Sequence, residues 1–287
     1  MPISFFVKRA FFNVDPGKDY DKRTKPPRGH LQRVSSIIRA DQIAEYLGAK
    51  VNPTEGYEND VCIYVKPHYL GGDFKFEGKP YIDICDSRTL YQLALKYPEV
   101  PVIAASDYNY ELLKSFLPNK IINIPEQHCN FERKKRTRQG IKTVGIIGTE
   151  GAFAFLPEGL EAELNKRGIE LYKFSKFYNR QDVVDFYMNI DLQIVWRPYF
   201  NYKKDILMNP LKIVNSASFG IPTIAYDEPC FEEMFGCYMP VQNMNELLEK
   251  LDDYIASPEI HQSMADRCLE QSEKYHISNI AKLYEQL

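Results

Sequence analysis

Apolar residues in this chain come in short unbroken runs, separated by segments of helical period. Ile3–Val7, Val61–Val65, Tyr81–Cys85, Val102–Ala105 and Lys120–Ile124 have the continuous hydrophobicity expected of strands covered on both faces. Leu31, Val34, Ile37, Ile38, Ile43, Ala44 and Leu47 recur near helical spacing, which predicts a helix over 31–48 stopped by Gly48. Shorter helices are predicted over Thr89–Lys96 and Glu111–Phe116, and a polar, basic loop over Asn13–Gly29. The rhythm breaks at 126–140 and then restarts. Strands are expected at Thr143–Ile147, Ile169–Tyr172 and Leu192–Trp196, with helices at Pro157–Arg167 and Gln181–Met188. Further helices are expected at Pro229–Phe235, near 243–255 and 258–272, and in the tail. Leu247, Leu248, Leu251, Tyr254 and Ile255 form an apolar stripe suited to a core.

Strands alternating with helices imply right-handed crossovers and parallel sheets. The expected fold class is α/β, with two facing Rossmann-like domains. The boundaries read as an N-terminal domain over 1–130, a linker over 131–140 and a second domain over 141–257. Helices over 258–287 are expected to pack back on the first domain. Ligands in such sheets bind beyond the carboxyl ends of the strands. That rule selects His68, Asp86, Ser87, Ser106, Asp107 and Arg197 by position.

Composition narrows the class. The chain has 287 residues, 44% hydrophobic and 26% charged, enough for two cores of ordinary size. A net charge of -3 gives no general attraction to nucleic acid or anionic membrane. Five basic residues within Arg133–Arg138 stand alone in this acidic background; they read as a solvated linker, with a nucleic-acid patch as the alternative. The 20 Tyr and 17 Phe read as core and interface packing, with sugar-stacking surfaces as the other use. None of the six cysteines is in Cys-x-x-Cys or zinc spacing, so reduced thiols, a cytoplasmic setting and no metal are expected. The first residues are too short an apolar run for a signal peptide, and no window has the apolar length of a membrane span.

The most informative stretch is Asn209–Tyr226. Asn209 suits an N-cap and Pro210 a first helical turn; Gly220 and Pro222 end the helix before an Ile224–Ala225 strand. Lys212 lies one turn into that helix, where free backbone N–H groups favour a phosphate. The run Pro210-Leu-Lys-Ile-Val-Asn-Ser-Ala-Ser-Phe-Gly-Ile-Pro-Thr-Ile-Ala225 resembles the donor-binding signature of GT-B-fold glycosyltransferases in its Lys, Gly and Pro spacing. It differs from that pattern at Leu207 and Asn215, where the pattern carries glutamates. Lys142–Gly148 resembles the family's first donor-domain strand and turn, and Asp182–Val195 the helix and strand before the signature.

The resemblance implies a glycosyltransferase that moves a sugar from a nucleotide sugar to an acceptor hydroxyl. The nucleotide sugar is a co-substrate, and no separate cofactor is expected. It implies donor contacts at Lys212, Arg197, Gly148, Thr149, Ser216 and Glu232, with Glu233 beside it, and places Asn215 at the ribose position. For Arg197, a structural ion pair is an equal expectation. An inverting transfer needs a general base from the first domain, for which Asp86 and His30 are the candidates and His68 a third. The acceptor would be a glycan or another hydroxyl-bearing molecule. Two alternatives share the fold: a silent nucleotide-binding scaffold, and a transferase acting on DNA bases through the 133–138 run.

Overall fold

The computed structural model describes residues 1–8, 11–12, 31–32, 34–70, 75–137, 140–148, 150–198 and 207–287. The chain forms two compact units. The first comprises Met1–Gln127, Lys204–Asn209 and Ile277–Leu287, and the second His128–Lys203 and Pro210–His276.

In chain order, the first 127 residues supply β1 (Ile3–Val7), β2 (Phe11–Phe12), β3 (Leu31–Gln32), α1 (Val34–Ser36), a π-turn (Ile37–Asp41), α2 (Gln42–Leu47), β4 (Lys50–Val51), β5 (Val61–Val65), β6 (Lys79–Asp83), α3 (Leu90–Lys96), β7 (Val102–Ala104), α4 (Asp107–Lys114) and β8 (Ile121–Asn123). There follow β9 (Thr143–Ile147), α5 (Glu150–Phe153), α6 (Leu160–Lys166), β10 (Glu170–Phe174), α7 (Arg180–Met188), β11 (Leu192–Val195), α8 (Leu211–Ser218), β12 (Thr223–Tyr226), a 3-10 turn (Pro229–Met234), β13 (Tyr238–Val241), α9 (Met244–Ala256), α10 (Pro258–Ser272) and α11 (Ile277–Glu285).

The first unit carries a six-stranded sheet in the order β4-β1-β5-β6-β7-β8, parallel throughout. Every residue of β5 is buried, as its unbroken apolar run predicts for a central strand. The π-turn places Arg39 wholly in the interior. The C-terminal α11 completes this unit. Its Tyr284 ring meets Phe5 edge to face at 5.6 Å and lies 5.7 Å from the Arg39 guanidinium.

The second unit carries a five-stranded sheet in the order β10-β9-β11-β12-β13, also parallel throughout. Its core joins Val144, Ile146, Leu192, Ile194 and Ile224 of the strands to Leu247, Leu251 and Tyr254 of α9. The predicted apolar stripe is thus buried at those three positions, while Ile255 is 43% exposed.

Four short strands, β2, β3, β4 and β13, escaped the pattern, and β3 takes Leu31–Gln32 out of the helix expected over 31–48. The first three are two residues long each, and β13 contains Pro240, which an edge strand tolerates because no ladder donor is needed there. β6 ends at Asp83, before the predicted Cys85, because Cys85 turns to a φ of 50° and its N–H bonds back to Asp83 Oδ1 at 3.2 Å.

The basic run differs from a solvated linker at Arg136. Arg136 forms an ion pair with Asp191 in which the side chains are only 5% and 3% exposed. Asp191 Oδ2 also accepts the N–H groups of Lys142 and Thr143, each at 2.9 Å. Arg133 pairs with Glu273 at 2.7 Å. Burial of a charge needs a partner, and Asp191 at the start of β11 supplies it. Removing that partner leaves Arg136 buried and uncompensated. Asp191→Ala should therefore lower stability by about 3–5 kcal/mol, read from urea unfolding.

Candidate functional site

In the second unit the chemistry gathers at the carboxyl edge of the sheet. β9 ends at Ile147 and turns at Gly148. α8 lies beside it, and its first turn is held by Gln193 Nε2, which donates to the Lys212 carbonyl at 3.0 Å. From that turn the Lys212 ammonium reaches across and donates to the Ile147 carbonyl at 2.5 Å. Gly148 leaves the space for it, since a Cβ there would stand 3.1 Å from Lys212 Nζ. Among the described residues no carboxylate lies within ion-pairing distance of this ammonium. Burial lowers its pKa to about 7, helped by the neighbouring Arg197 and opposed by Glu228.

Helix α8 begins one residue later than Asn209 predicts. Pro210 occupies the N-cap position, and its ring offers the helix no side-chain cap. Asn209 is not the N-cap; its Nδ2 donates to the Glu126 carboxylate at 3.0 Å, a charge-assisted bond that orients the side chain toward Glu126. The C-terminal end follows the pattern, with Gly220 at a φ of 72°.

Arg197, just beyond β11, meets Glu228, just beyond β12, in a forked pair. Nε reaches Oε1 at 2.8 Å and Nη2 reaches Oε2 at 2.6 Å. The Glu228 side chain is fully buried and its pKa is raised by that burial. The ion-pair expectation for Arg197 describes this geometry, although Glu228 itself was missed. The strand-end rule that selected Asp86 applies equally to Asp227-Glu228, and attention to Glu232 obscured it. Glu232 is exposed and Glu233 half-buried.

The remaining predicted donor residues fall differently. Asn215 Oδ1 accepts the Cys129 N–H at 2.8 Å, an internal contact of this unit. Ser216 is fully buried, with its hydroxyl 2.8 Å from Thr223 Oγ1 and donating to Ile213 O, so it faces the sheet. Thr149 and His30 lie outside the described residues.

The first unit has its own carboxyl edge. Lys66 follows β5 and Cys85 follows β6, and both adopt left-handed backbone, at φ values of 46° and 50°. Such conformations cost a non-glycine residue about 1–3 kcal/mol and concentrate at functional sites. Lys66 Nζ pairs with Asp86 at 2.5 Å; the Asp86 side chain is 60% exposed. Behind them Arg39 Nε donates to Asp83 at 2.8 Å, and its Nη1 to the Ile124 and Pro125 carbonyls. Glu126 closes the group, buried, with a pKa raised to about 7 by desolvation. Ser106 caps α4 and donates to the Met208 carbonyl at 2.7 Å, while Asp107 accepts from Asn123 at 2.5 Å. Ser87 bonds Thr89 at 2.9 Å. His68 is exposed, with its pKa lowered by partial burial and by Lys66. Among the described residues no group of three or more His, Cys, Asp or Glu side chains is placed to hold a metal ion, and no helix is long and apolar enough to cross a membrane.

Glu228 is the carboxylate beside Lys212. Glu228→Gln should therefore lower the Lys212 pKa below its present value, measurable by NMR titration of the lysine side chain.

No family model and no curated protein matches the sequence. Solved structures do match. TarM is similar with a TM-score of 0.55 and 14% identity over 79% of this chain, which spans only 54% of TarM. Sucrose-phosphate synthase from Thermosynechococcus elongatus gives 0.54 and 12% over 88% of this chain and 77% of its own length. Anabaena HepE, solved in complex with UDP and glucose, gives 0.58 and 10% identity over 100% of this chain and 98% of its own. With two parallel α/β sheets and these neighbours, the chain has the GT-B glycosyltransferase fold.

Proposed function

We propose that the chain is a glycosyltransferase of hexosyltransferase type, moving a sugar from a nucleotide-sugar donor to an acceptor hydroxyl. The observation that carries this reading is the Lys212 ammonium, held at the mouth of the second unit's sheet by a backbone carbonyl and without a carboxylate of its own. It stands on the first turn of helix α8, at the positive end of that helix's dipole. A diphosphate bound there would meet that dipole and a cation together, and both stabilise its charge. The same groups would stabilise the negative charge that develops as the nucleoside diphosphate departs. In this reading the Lys212 ammonium supplies the neutralisation, and no metal ion is needed.

In this reading Gly148 gives the phosphate close approach to the backbone. Glu228 orients Arg197, and the second unit as a whole holds the donor. The first unit holds the acceptor, a glycan or another hydroxyl-bearing molecule, at its own carboxyl edge. The six free cysteines, five of them buried, support a reducing, cytoplasmic setting. The buried pair of Arg136 with Asp191 and the surface pair of Arg133 with Glu273 weigh against the 133–138 run as a nucleic-acid surface.

A panel of nucleoside diphosphates in a thermal-shift assay tests the donor site. One of them at a hundred times its Kd should stabilise the protein by about 2.7 kcal/mol. Stabilisation by none of them sinks the reading. The bound form requires the charged lysine, so affinity should weaken as pH rises through about 7. Lys212→Met should bind more weakly by about tenfold or more and lose that part of the pH dependence, as measured by calorimetry.

A further inference from the structure

Lys212 has a second chemistry besides attracting an anion. Its backbone carbonyl accepts from Gln193 Nε2 at 3.0 Å and from the Tyr187 hydroxyl at 3.4 Å, which fixes the start of the side chain. At the far end Nζ donates to the Ile147 carbonyl at 2.5 Å. A carbonyl oxygen accepts from a neutral amine as well as from an ammonium, so this contact holds the nitrogen without requiring its third proton. All of these residues belong to the second unit, and Lys212 itself is half-buried, with part of its surface open to solvent.

The charges around Nζ disfavour the ammonium. Arg197 enters from just beyond β11. Its guanidinium is held by the Glu228 fork and lies 5.7 Å from the Phe231 ring centroid, which keeps it in place beside the lysine. Glu228, from just beyond β12, acts the other way, but both of its oxygens are engaged by Arg197. From β9 and its turn, Ile147 and Gly148 bring no charge. A lysine that is desolvated and set beside another cation is activated as a nucleophile. Gly148 also leaves room at the nitrogen, since a Cβ there would stand 3.1 Å from it.

We propose that Lys212 is a nucleophilic amine that condenses reversibly with small aldehydes, and that the adduct blocks the donor site. The blocking rests on the glycosyl-transfer reading above; the condensation does not. The lone pair of the neutral amine attacks the aldehyde carbon, and a C–N bond forms as the C=O π bond opens. The nitrogen gives up a proton and the oxygen takes one. The C–O bond then breaks with loss of water and leaves an imine. Amine and aldehyde become imine and water, so no oxidant, reductant or activated co-reactant is needed. The added carbon occupies the nitrogen that a diphosphate would otherwise meet, and hydrolysis restores the lysine.

Titration follows the same geometry. Burial and Arg197 bring the Lys212 pKa down to about 7, with Glu228 opposing. A solvated lysine titrates near about 10.4 and is almost wholly protonated at neutral pH. Only the neutral amine attacks, so the Lys212 rate should rise with pH through about 7 and then level. Solvated lysines should instead keep gaining rate well above that pH.

The test uses the unmodified full chain with glyceraldehyde as the aldehyde and cyanoborohydride to trap the imine as a secondary amine. Peptide mass mapping then locates the modified lysines. Near neutral pH, Lys212 should be modified about tenfold or more faster than the solvated lysines, because a far larger share of it is neutral. The nucleoside diphosphate that stabilises the protein should slow modification of Lys212 and leave the other lysines unchanged. Protein modified at Lys212 should bind that nucleotide at least about tenfold more weakly. Modification of Lys212 no faster than that of the solvated lysines overturns the proposal, whatever nucleotide binds. A nucleoside diphosphate that binds without shielding Lys212 overturns the blocking. If no nucleoside diphosphate binds, the donor reading falls and the blocking with it, while preferential modification of Lys212 still establishes the amine.

Discussion

A parallel sheet covered on both faces can display polar groups only where its strands begin and end. Each unit of this chain has such a sheet, and that constraint organises everything of chemical interest. Strand interiors carry apolar runs, all five residues of β5 being buried. The buried carboxylates lie at or just beyond strand termini, among them Asp191 before β11, Asp83 at the end of β6, Glu228 after β12 and Glu126 after β8. Burying them requires partners, and the partners come from neighbouring strand ends or from the helix packed above.

The two ends of the second unit's sheet use that constraint for different purposes. At the amino edge, Arg136 and Asp191 satisfy one another, and the aspartate also takes two backbone N–H groups. Everything there has a partner, which is how a buried pair serves stability. At the carboxyl edge, Arg197 and Glu228 are likewise satisfied, but Lys212 has only a carbonyl. A cation held where its charge is poorly compensated keeps a depressed pKa and gains when an anion arrives. The edges differ in that the charges of one are paired with each other, while at the other no carboxylate among the described residues lies within ion-pairing distance of Lys212.

Much of this was legible in the residue pattern. Unbroken apolar runs separated by helical segments are enough to specify parallel α/β units, because only sheets covered by crossover helices bury both faces of every strand. Gly48 and Gly220 marked helix ends because left-handed backbone there excludes most other residues, and the position of Lys212 after Pro210 located the mouth of the second sheet. Strand ends were less certain: Cys85 was read into a strand that Asp83 closes with its own side chain. Asn209 looked like a cap because its residue type favours that role. In the fold its side chain is oriented instead by donating to the distant carboxylate of Glu126.

The order and kind of elements, and which strand ends could carry chemistry, are local properties, set by side-chain period and by the backbone preferences of glycine and proline. Pairing is not local. Arg197 meets Glu228 across 31 positions, Arg39 meets Asp83 across 44, and Asn209 meets Glu126 across 83. A charged residue reads the same in sequence whether it ends up solvated, neutralised or held poised, because the energy separating those states comes from burial and from which opposite charge folding brings within a few ångströms. Tertiary structure alone therefore decided that Arg136 is internal, that Asp86 is a surface partner of Lys66, and that the Lys212 ammonium is buried against a backbone carbonyl.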